Sequence, residues 1–439
     1  MNAQRKAYVL GGGVAGLAAA FGLADMGFRV VLLESRGWLG GRAFASVDRA
    51  SGRRLDNGPH VMLGCYHAMR SLLRRLGTEH AFAGASSLAL AWRRRGGAVL
   101  RLRLSRLPVP LAMPAALLAL PIPFAARWRA FAGMLATLRR TPPEWTLGDW
   151  LRHRGQLGEP DALLWRPLCR AIMNVEPELA AARDFVATLR EAFGGSAGRA
   201  AFLVPTRPWG ELLGDPAVPA LVKAGVEVRL GARVQAITAM AGAATGIVIG
   251  DDSRLVVGPD DLVVSALPWR SLRAVWPDLP APLGDLESSP IVSVFVTMPA
   301  NVPPLPDDGP VTALVDGDPF HFVLRTPGGD ARQVALLAGG NRSFDGQTVE
   351  AIGARALAQL AAWYPRADVG GAEVVVRKEQ HATFVAACRT WQRRPAPGRL
   401  AGGPSNLLVC GDWTATGLPA TLEGAARSAA TMLATIDRR

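Results

Sequence analysis

The sequence predicts an α/β protein that has a parallel sheet and a second domain of the α+β class. Three observations predict it: the chain opens with a strand, helix and strand around a glycine-rich turn, two buried strands follow further along, and a strand and an apolar-faced helix close it. The chain has 439 residues, of which 49% are hydrophobic and 19% charged. This composition excludes a disordered or fibrous protein, and this length allows two or three domains.

The first element is a βαβ unit, with the predicted strand, helix and strand over residues 7–10, 17–26 and 28–33. The turn after the first strand has glycines at the positions of GxGxxG, at Gly11, Gly13 and Gly16. Gly11 allows the tight turn, Gly13 lets a pyrophosphate approach the backbone, and Gly16 allows the helix to pack closely on the strand. The unit therefore predicts a Rossmann-like domain that binds a dinucleotide.

The residues around this turn add detail to the prediction. Val14 and Ala15 lie at the helix start, where unpaired N–H groups and the helix dipole attract phosphates. Glu34 ends the second strand, followed by Ser35, and its carboxylate can accept hydrogen bonds from ribose hydroxyls. These residues do not distinguish NAD from FAD.

A second glycine motif, Gly40-Gly41-Arg42, follows Glu34. It resembles the GGR of FAD-dependent amine oxidases and carotenoid-type desaturases, in which the basic residue and the loop backbone lie beside the cofactor phosphates. Residues 231–237, including Val234, and residues 261–268 are similar to segments that complete the adenine side in that superfamily. The resemblance implies FAD.

The C-terminal region carries the third part of this resemblance. A predicted strand over residues 407–410 leads into Gly411-Asp412-Trp413-Thr414, and Pro419 is predicted to open a helix over residues 420–436. The pattern resembles the superfamily's GD and PxTxEGA segment, in which the aspartate binds ribityl hydroxyls. The resemblance implies that Asp412 contacts FAD and that the helix start, with Pro419, Ala420 and Thr421, faces the flavin pyrimidine and favours the reduced cofactor.

These segments predict two domains. A glutathione-reductase-like, discontinuous FAD-binding domain is expected from residues 1–65, 200–270 and 396–439. A substrate-binding domain is expected from residues 66–199 and 271–395, with an antiparallel sheet around residues 290–340 and mostly helical structure over residues 145–190.

A narrower resemblance covers the whole chain. Residues 56–66 (DNGPHVMLGCY) are similar to the DNGxHxxLGxY stretch of the squalene-associated FAD-dependent desaturases, which are the hydroxysqualene dehydroxylases of bacterial hopanoid synthesis. It implies that Gly58, Pro59 and His60 lie beside FAD. Residues 165–169 with Asn174, residues 381–384 and residues 417–425 indicate the same family. Three positions depart from its usual pattern: Pro59, His381 and Ala429.

The resemblance implies an enzyme that reduces hydroxysqualene to squalene, with loss of water and transfer of hydride from reduced flavin. Amine oxidation is disfavoured because the chain has only three tyrosines, from which an aromatic cage would be built, and no lysine between Lys223 and Lys378. Two alternatives stay open: a carotenoid or phytoene-type desaturase or isomerase that acts on a long polyene, and a non-catalytic, membrane-associated lipid-binding flavoprotein. Redox direction does not follow from the sequence.

The proton donor is not identified by the sequence. His60 is the first candidate because the resemblance places its segment near the flavin, and Glu176 and Asp56 follow. No second GxGxxG is present, so an external reductant for the flavin is expected. The cysteines form no CxxC pair and no DDxxD cluster occurs, so we expect no metal site.

Residues 107–126 form an uncharged stretch with five prolines inside a basic region. Ten arginines and no acidic residue lie between Arg93 and Arg140. We expect this segment to lie on a membrane surface with its arginines on anionic lipid; the alternative is a buried hairpin of short helices. The charge surrounds aliphatic rather than aromatic residues, which disfavours nucleic acid. The predicted location is cytoplasmic, peripheral on the inner face of the cytoplasmic membrane.

Overall fold

The computed structural model describes residues 4–49, 51–84, 87–250, 253–279, 286–328 and 331–436. The strands, in chain order, are β1 (Lys6–Leu10), β2 (Arg29–Leu33), β3 (Ala45–Val47), β4 (Arg54–Asp56), β5 (Met62–Leu63), β6 (Phe82–Gly84), β7 (Ala89–Arg93), β8 (Val99–Arg103), β9 (Phe202–Pro205), β10 (Glu227–Arg229), β11 (Val234–Met240), β12 (Ala243–Ile249), β13 (Arg254–Val256), β14 (Leu262–Ser265), β15 (Ser288–Thr297), β16 (Val311–Leu314), β17 (Phe322–Arg325), β18 (Gln333–Gly339), β19 (Glu373–Phe384), β20 (Gly398–Arg399) and β21 (Leu407–Val409).

Helices connect these strands at several points along the chain, and the longest helical run lies between β8 and β9. They are α1 (Val14–Asp25), α2 (His67–Arg75), α3 (Val109–Leu118), α4 (Phe124–Ala136), α5 (Leu147–His153), α6 (Arg166–Met173), α7 (Ala182–Phe193), α8 (Ala197–Ala200), α9 (Asp215–Lys223), α10 (Trp269–Val275), α11 (Val349–Trp363), α12 (Thr390–Arg393) and α13 (Leu422–Leu433). Single π-helical turns at Asp161–Trp165 and Gly210–Gly214 precede α6 and α9.

A six-stranded sheet has the order β10-β2-β1-β14-β21-β20. All pairs are parallel except β20 with β21. The central strands are buried on both faces, as expected for a parallel sheet covered by helices. The carboxyl ends of β1, β2, β14 and β21 therefore meet along one edge.

Helix α1 covers this sheet and packs against α13 through very small residues. A Cβ added at Gly22 would lie 2.1 Å from Leu433 Cδ1, so the glycine permits the close helix contact. The helix begins at Val14, three residues before the predicted start, because Gly13 is its N-cap. At the other end of the chain, α13 begins at Leu422 with Thr421 as its N-cap, so the prediction that Pro419 opens this helix was wrong.

A seven-stranded sheet, in the order β19-β15-β18-β17-β16-β7-β8, forms the second layer of the molecule. Its pairs are antiparallel apart from β16 with β7. The antiparallel strands predicted around residues 290–340 are present as β15, β17 and β18. Helix α11 packs on this sheet through buried Ile352, Ala356 and Leu360.

Residues 107–126 fold into α3 and the start of α4, which pack against each other as a hairpin. Val109, Ala112 and Leu117 point into the core. Apolar side chains of the same hairpin are nevertheless exposed: Leu107, Leu111, Phe124, Trp128, Leu135 and Leu138. The hairpin is therefore partly buried, as in the expected alternative of a buried hairpin, and it also exposes apolar side chains. Across the described residues, no helix combines the length and the apolar character that crossing a bilayer requires.

Candidate flavin site

The glycine turn after β1 is held in a shape that only glycine permits. Gly11 has φ +98°, and its N–H donates to the Leu33 carbonyl at 2.8 Å, which ties the turn to β2. A Cβ at Gly16 would lie 1.8 Å from the Gly11 carbonyl oxygen, so α1 packs directly on the turn. This leaves the start of α1, with Val14 and Ala15, facing the carboxyl edge of the sheet.

The second glycine motif lies against the first. The Gly40 N–H donates to the Gly12 carbonyl at 2.9 Å, and a Cβ at Gly41, which has φ +62°, would lie 2.9 Å from the Gly13 Cα. The two backbones therefore approach so closely that side chains are excluded between them. Two stretches that the sequence resemblance assigned to the cofactor phosphates are adjacent in space.

Glu34, which directly follows β2, connects the first glycine turn with the residues that come after β2. Its Oε2 accepts the Gly12 N–H at 2.8 Å, and its Oε1 accepts Ser35 Oγ at 3.1 Å and the Arg36 N–H at 2.9 Å. The Arg36 carbonyl accepts the N–H of Gly231, in the loop that leads to β11, whose first residue is Val234. The segments assigned to the adenosine end thus lie side by side.

Asp412 and Arg42 form the ion pair at the other end of the edge. Arg42 Nη2 lies 2.7 Å from Asp412 Oδ1, and the carboxylate side chain is only 9% exposed. Arg42 also donates to the Ala382 carbonyl of β19. Burial is the largest single influence and lowers the pKa of Arg42, but the charge of Asp412, its hydrogen bond with Arg42 and the charge of Glu379 together outweigh burial, so the pKa is raised.

The Gly411–Thr414 segment is fixed from several sides. The Gly411 N–H donates to Ser428 Oγ at 2.7 Å, and Trp413 Nε1 donates to the Leu267 carbonyl at 3.0 Å. Gly411 has φ +144°, and a Cβ there would lie 2.7 Å from Trp413 Nε1. Next to this segment, Thr421 Oγ1 accepts the Gly424 N–H at 2.9 Å and caps α13.

The two carboxylates and the glycine backbones at this edge fit a flavin dinucleotide. Glu34 follows β2 and Asp412 follows β21, with β1 and β14 between them, so the two carboxylates sit at the same sheet edge about 14 Å apart at the usual strand spacing. The side-chain-free glycine backbones lie between them. A ribose acceptor, a phosphate cradle and a ribityl acceptor in that order match the length and polarity of FAD.

Asp56 and His60 meet at one tryptophan. The Trp209 backbone N–H donates to Asp56 Oδ1 at 2.7 Å, and Trp209 Nε1 donates to the His60 carbonyl at 3.0 Å. Asp56 Oδ2 has no hydrogen-bond partner among the residues that the structure describes, and burial raises the pKa of this carboxyl to about 7. His60 Nδ1 lies 2.7 Å from the Gly58 carbonyl, which requires a proton on Nδ1, and burial lowers the pKa of the imidazole.

Glu176 lies in a different environment. Its two carboxylate oxygens accept from Arg170 Nε at 2.8 Å and Arg166 Nη1 at 3.0 Å, and Arg166 also pairs with Asp161 and Glu178. Glu176 is thus part of an ion-pair network around α6. Asp56 and His60 instead both contact Trp209.

Comparison with known proteins decides the family. The family model described as flavin containing amine oxidoreductase matches residues 14–432. A hydroxysqualene dehydroxylase from Rhodopseudomonas palustris is 30% identical over 97% of this chain and 96% of its own, and one from Sinorhizobium fredii is 29% identical over the same shares. The chain belongs to the hydroxysqualene dehydroxylase family, within the flavin-containing amine oxidoreductases.

Solved structures agree on the fold of this flavoenzyme. An oxidoreductase from Methanosarcina mazei matches with a TM-score of 0.74 at 16% identity, over 98% of this chain and 100% of its own. A putrescine oxidase matches with a TM-score of 0.68 at 16% identity, over 98% of both chains. The zeta-carotene desaturase of Solanum lycopersicum is 39% identical, but over only 17% of this chain. The predictions of an α/β flavoprotein, of FAD and of an oxidoreductase are confirmed.

Sequence analysis missed two residues of the flavoenzyme's site region: Trp209 joins the Asp56 and His60 segments, and Arg394 donates to the Asp412 segment. It included Asn174 in the family resemblance but not the contact of that residue, a hydrogen bond donated to Thr383 Oγ1 at 2.9 Å. The last contact links two of the family motifs. Asn174 has φ +53°, which lies in the left-handed region that Asn adopts more often than most other residues. Partners so distant in the chain leave no signal in one sequence.

Proposed function

We propose that this flavoenzyme reduces hydroxysqualene to squalene with loss of water, in squalene and hopanoid synthesis. The observation that carries the proposal is the match to hydroxysqualene dehydroxylases over 97% of the chain. Desaturase similarity is limited to 17% of the chain and therefore supports the cofactor domain more than the substrate.

The reaction is a two-electron reduction. The C–O bond of the allylic alcohol breaks, its oxygen leaves as water with one added proton, and a hydride forms the new C–H bond. Bound FAD supplies that hydride in its reduced form and becomes oxidised. The protein must therefore bind the cofactor, hold a proton near the hydroxyl and exclude bulk water from the allylic cation.

We propose cofactor roles for the residues along the sheet edge. Gly11, Gly13, Val14, Ala15, Gly16, Gly41 and Arg42 hold the pyrophosphate, while Glu34, Ser35 and Val234 hold the adenosine. Gly411 and Asp412 would hold the ribityl chain, and the residues that would contact the flavin ring are Gly58, Pro59, His60, Pro419, Ala420 and Thr421. The hydrogen bonds and close backbone approaches described above support these roles.

For the proton, Asp56 and His60 are favoured over Glu176. Both oxygens of Glu176 are engaged by arginines, so neither is free to meet a substrate hydroxyl. Asp56 has an unpartnered oxygen and a pKa raised to about 7, so a large fraction is protonated at neutral pH. His60 is mostly neutral there, so its Nε2 can accept a hydrogen bond from a hydroxyl and orient it.

We propose that residues 1–65, 200–270 and 396–439 form the FAD-binding domain and that residues 66–199 and 271–395 bind the isoprenoid chain. The α3–α4 hairpin is proposed to lie on the inner face of the cytoplasmic membrane. Its exposed apolar side chains include Leu111 at 65% and Phe124 at 67%, and arginines flank them, which suits an anionic bilayer that dissolves the substrate. An external donor reduces the flavin.

One anaerobic experiment tests the function. The purified flavoprotein is photoreduced, hydroxysqualene is added, and flavin reoxidation is followed together with the lipid product. The proposal expects reoxidation with an equal amount of squalene. Unchanged reduced flavin, combined with reduction of the oxidised protein by a polyene, would favour the desaturase instead.

A further inference from the structure

Arg394 is a buried cation that contacts the Asp412 segment through its backbone. The residue is 8% exposed. Its Nε donates to the Trp413 carbonyl at 3.1 Å, and its Nη2 donates to the Asp412 carbonyl at 3.2 Å and to the Thr414 carbonyl. A single guanidinium thus holds three successive carbonyls of the segment that carries the proposed ribityl acceptor.

The other side of the same guanidinium faces an aromatic ring. Arg394 Cζ lies 4.5 Å from the ring centroid of Phe384, the last residue of β19. Two residues earlier in that strand, the Ala382 carbonyl accepts from Arg42. Both arginines therefore connect β19 to Asp412: Arg42 through the carboxylate and Arg394 through the backbone.

The charge of Arg394 is not neutralised by an ion pair within the described residues. Asp412 is paired with Arg42 instead, and Asp184 acts on Arg394 only from beyond ion-pair distance. Burial lowers the pKa of Arg394 to about 10, which leaves it charged at neutral pH. Carbonyl dipoles and a ring face stabilise a buried cation less than a carboxylate does. Arg394 therefore places a desolvated positive charge directly against the backbone of the segment that carries Asp412.

We propose that Arg394 is a positioning residue of the flavin site, which orients the Asp412 segment and provides a fixed positive charge that favours the reduced cofactor. Reduced flavin gains negative charge at its pyrimidine, and a buried cation beside the ribityl acceptor stabilises that charge through a medium of low dielectric. The inference concerns the cofactor alone and holds whichever isoprenoid is the substrate.

The test compares Arg394→Gln, which keeps a donor but removes the charge, with Arg394→Lys, which keeps the charge but loses the planar fork. Arg393→Gln is the matched control, because Arg393 is the exposed neighbour in α12. The midpoint potential of each holoprotein is measured by anaerobic reduction against a reference dye. The dissociation constant of oxidised FAD is measured by reconstitution of the apoprotein.

In Arg394→Gln, we expect oxidised FAD to bind about tenfold more weakly and reduced FAD to lose a further factor of about ten. By the thermodynamic cycle, this lowers the two-electron potential by about 30 mV. Arg394→Lys should weaken FAD binding with less than half of that fall in potential, and Arg393→Gln should change neither quantity. An unchanged potential in Arg394→Gln, or an equal fall in the Gln and Lys variants, would overturn the proposed role of the charge.

Discussion

Arg42 and Asp412, which are 370 positions apart in the chain, form a 2.7 Å ion pair at the carboxyl edge of the parallel sheet. Each belongs to a separate stretch that the sequence resemblance assigned to the cofactor. Arg42 also donates to the Ala382 carbonyl of β19, so this ion pair connects the parallel sheet with the seven-stranded sheet.

Asp412→Ala should weaken FAD binding about 10- to 100-fold. The substitution removes a charged acceptor, whose hydrogen bonds are worth about 1.5–3 kcal/mol, and it leaves Arg42 partly buried without an anion. Release of fluorescent FAD on dilution measures the effect. Asp215→Ala is the control, because Asp215 pairs with Arg54 at the surface and is 52% exposed. Equal FAD affinity in the two variants would contradict the assignment of Asp412.

Gly16→Ala should prevent formation of the phosphate cradle. The added Cβ would lie 1.8 Å from the Gly11 carbonyl oxygen, so α1 must move away from β1. We expect a loss of at least about 1–3 kcal/mol of unfolding free energy and no retained FAD, measured by thermal unfolding and by the flavin spectrum. Gly37→Ala is the matched control, since a Cβ there meets nothing within 4 Å. A yellow, stable Gly16→Ala protein would disprove this packing.

Asp56 should make stability fall as pH rises. Burial raises the pKa of this acid from its usual 3.8 to about 7, so the folded protein binds a proton between these values that the unfolded chain releases. The slope of unfolding free energy against pH is therefore negative from about pH 4 to pH 7. Urea unfolding across this range should show that the unfolding free energy of the wild type falls relative to that of Asp56→Asn, in which the other shifted carboxyls, such as Asp161 and Asp184, still titrate. Parallel curves would mean that Asp56 ionises at its ordinary pKa.

The same carboxyl should shape the rate of dehydroxylation. If Asp56 donates the proton, the rate of single-turnover flavin reoxidation falls as pH rises through about 7. This falling limb of the pH–rate profile should be absent in Asp56→Asn. His60→Gln should slow the reaction but keep the limb, because a neutral imidazole orients the hydroxyl without titrating near pH 7. Glu176→Gln should leave the profile unchanged. Loss of the limb in His60→Gln alone would instead assign the proton to the imidazole.

The α3–α4 hairpin should bind anionic vesicles through its exposed apolar side chains. The combined change Leu111→Ser, Phe124→Ser and Trp128→Gln should reduce partitioning onto phosphatidylglycerol-containing vesicles at least about 1000-fold, because each side chain buried in the bilayer contributes about 1.5–3 kcal/mol. Met240→Gln, at an equally exposed residue of β11, is the control. Cosedimentation measures binding, and equal binding by both proteins would exclude the hairpin as the contact surface.

Local signals predicted those elements whose form depends on neighbouring residues. The βαβ unit, its glycine turn and the acid at the end of β2 follow from short-range rules of strand burial, turn geometry and helix packing. Boundaries were less accurate where capping decided them: Gly13 starts α1 earlier than the apolar run indicated, and Thr421 rather than Pro419 determines the start of α13.

The sequence by itself predicted a dinucleotide-binding unit, because that motif requires particular residues at fixed short spacings, and its resemblance to known motifs implied FAD and the family. Only the tertiary structure decided which distant groups act together. The Trp209 contacts with Asp56 and His60 join residues 153 and 149 positions apart in the chain. The three carbonyls on Arg394 and the arginines on Glu176 are partners that no local motif identified. The physical reason is that burial and charge neighbours determine protonation and orientation, and these exist only after the chain has folded.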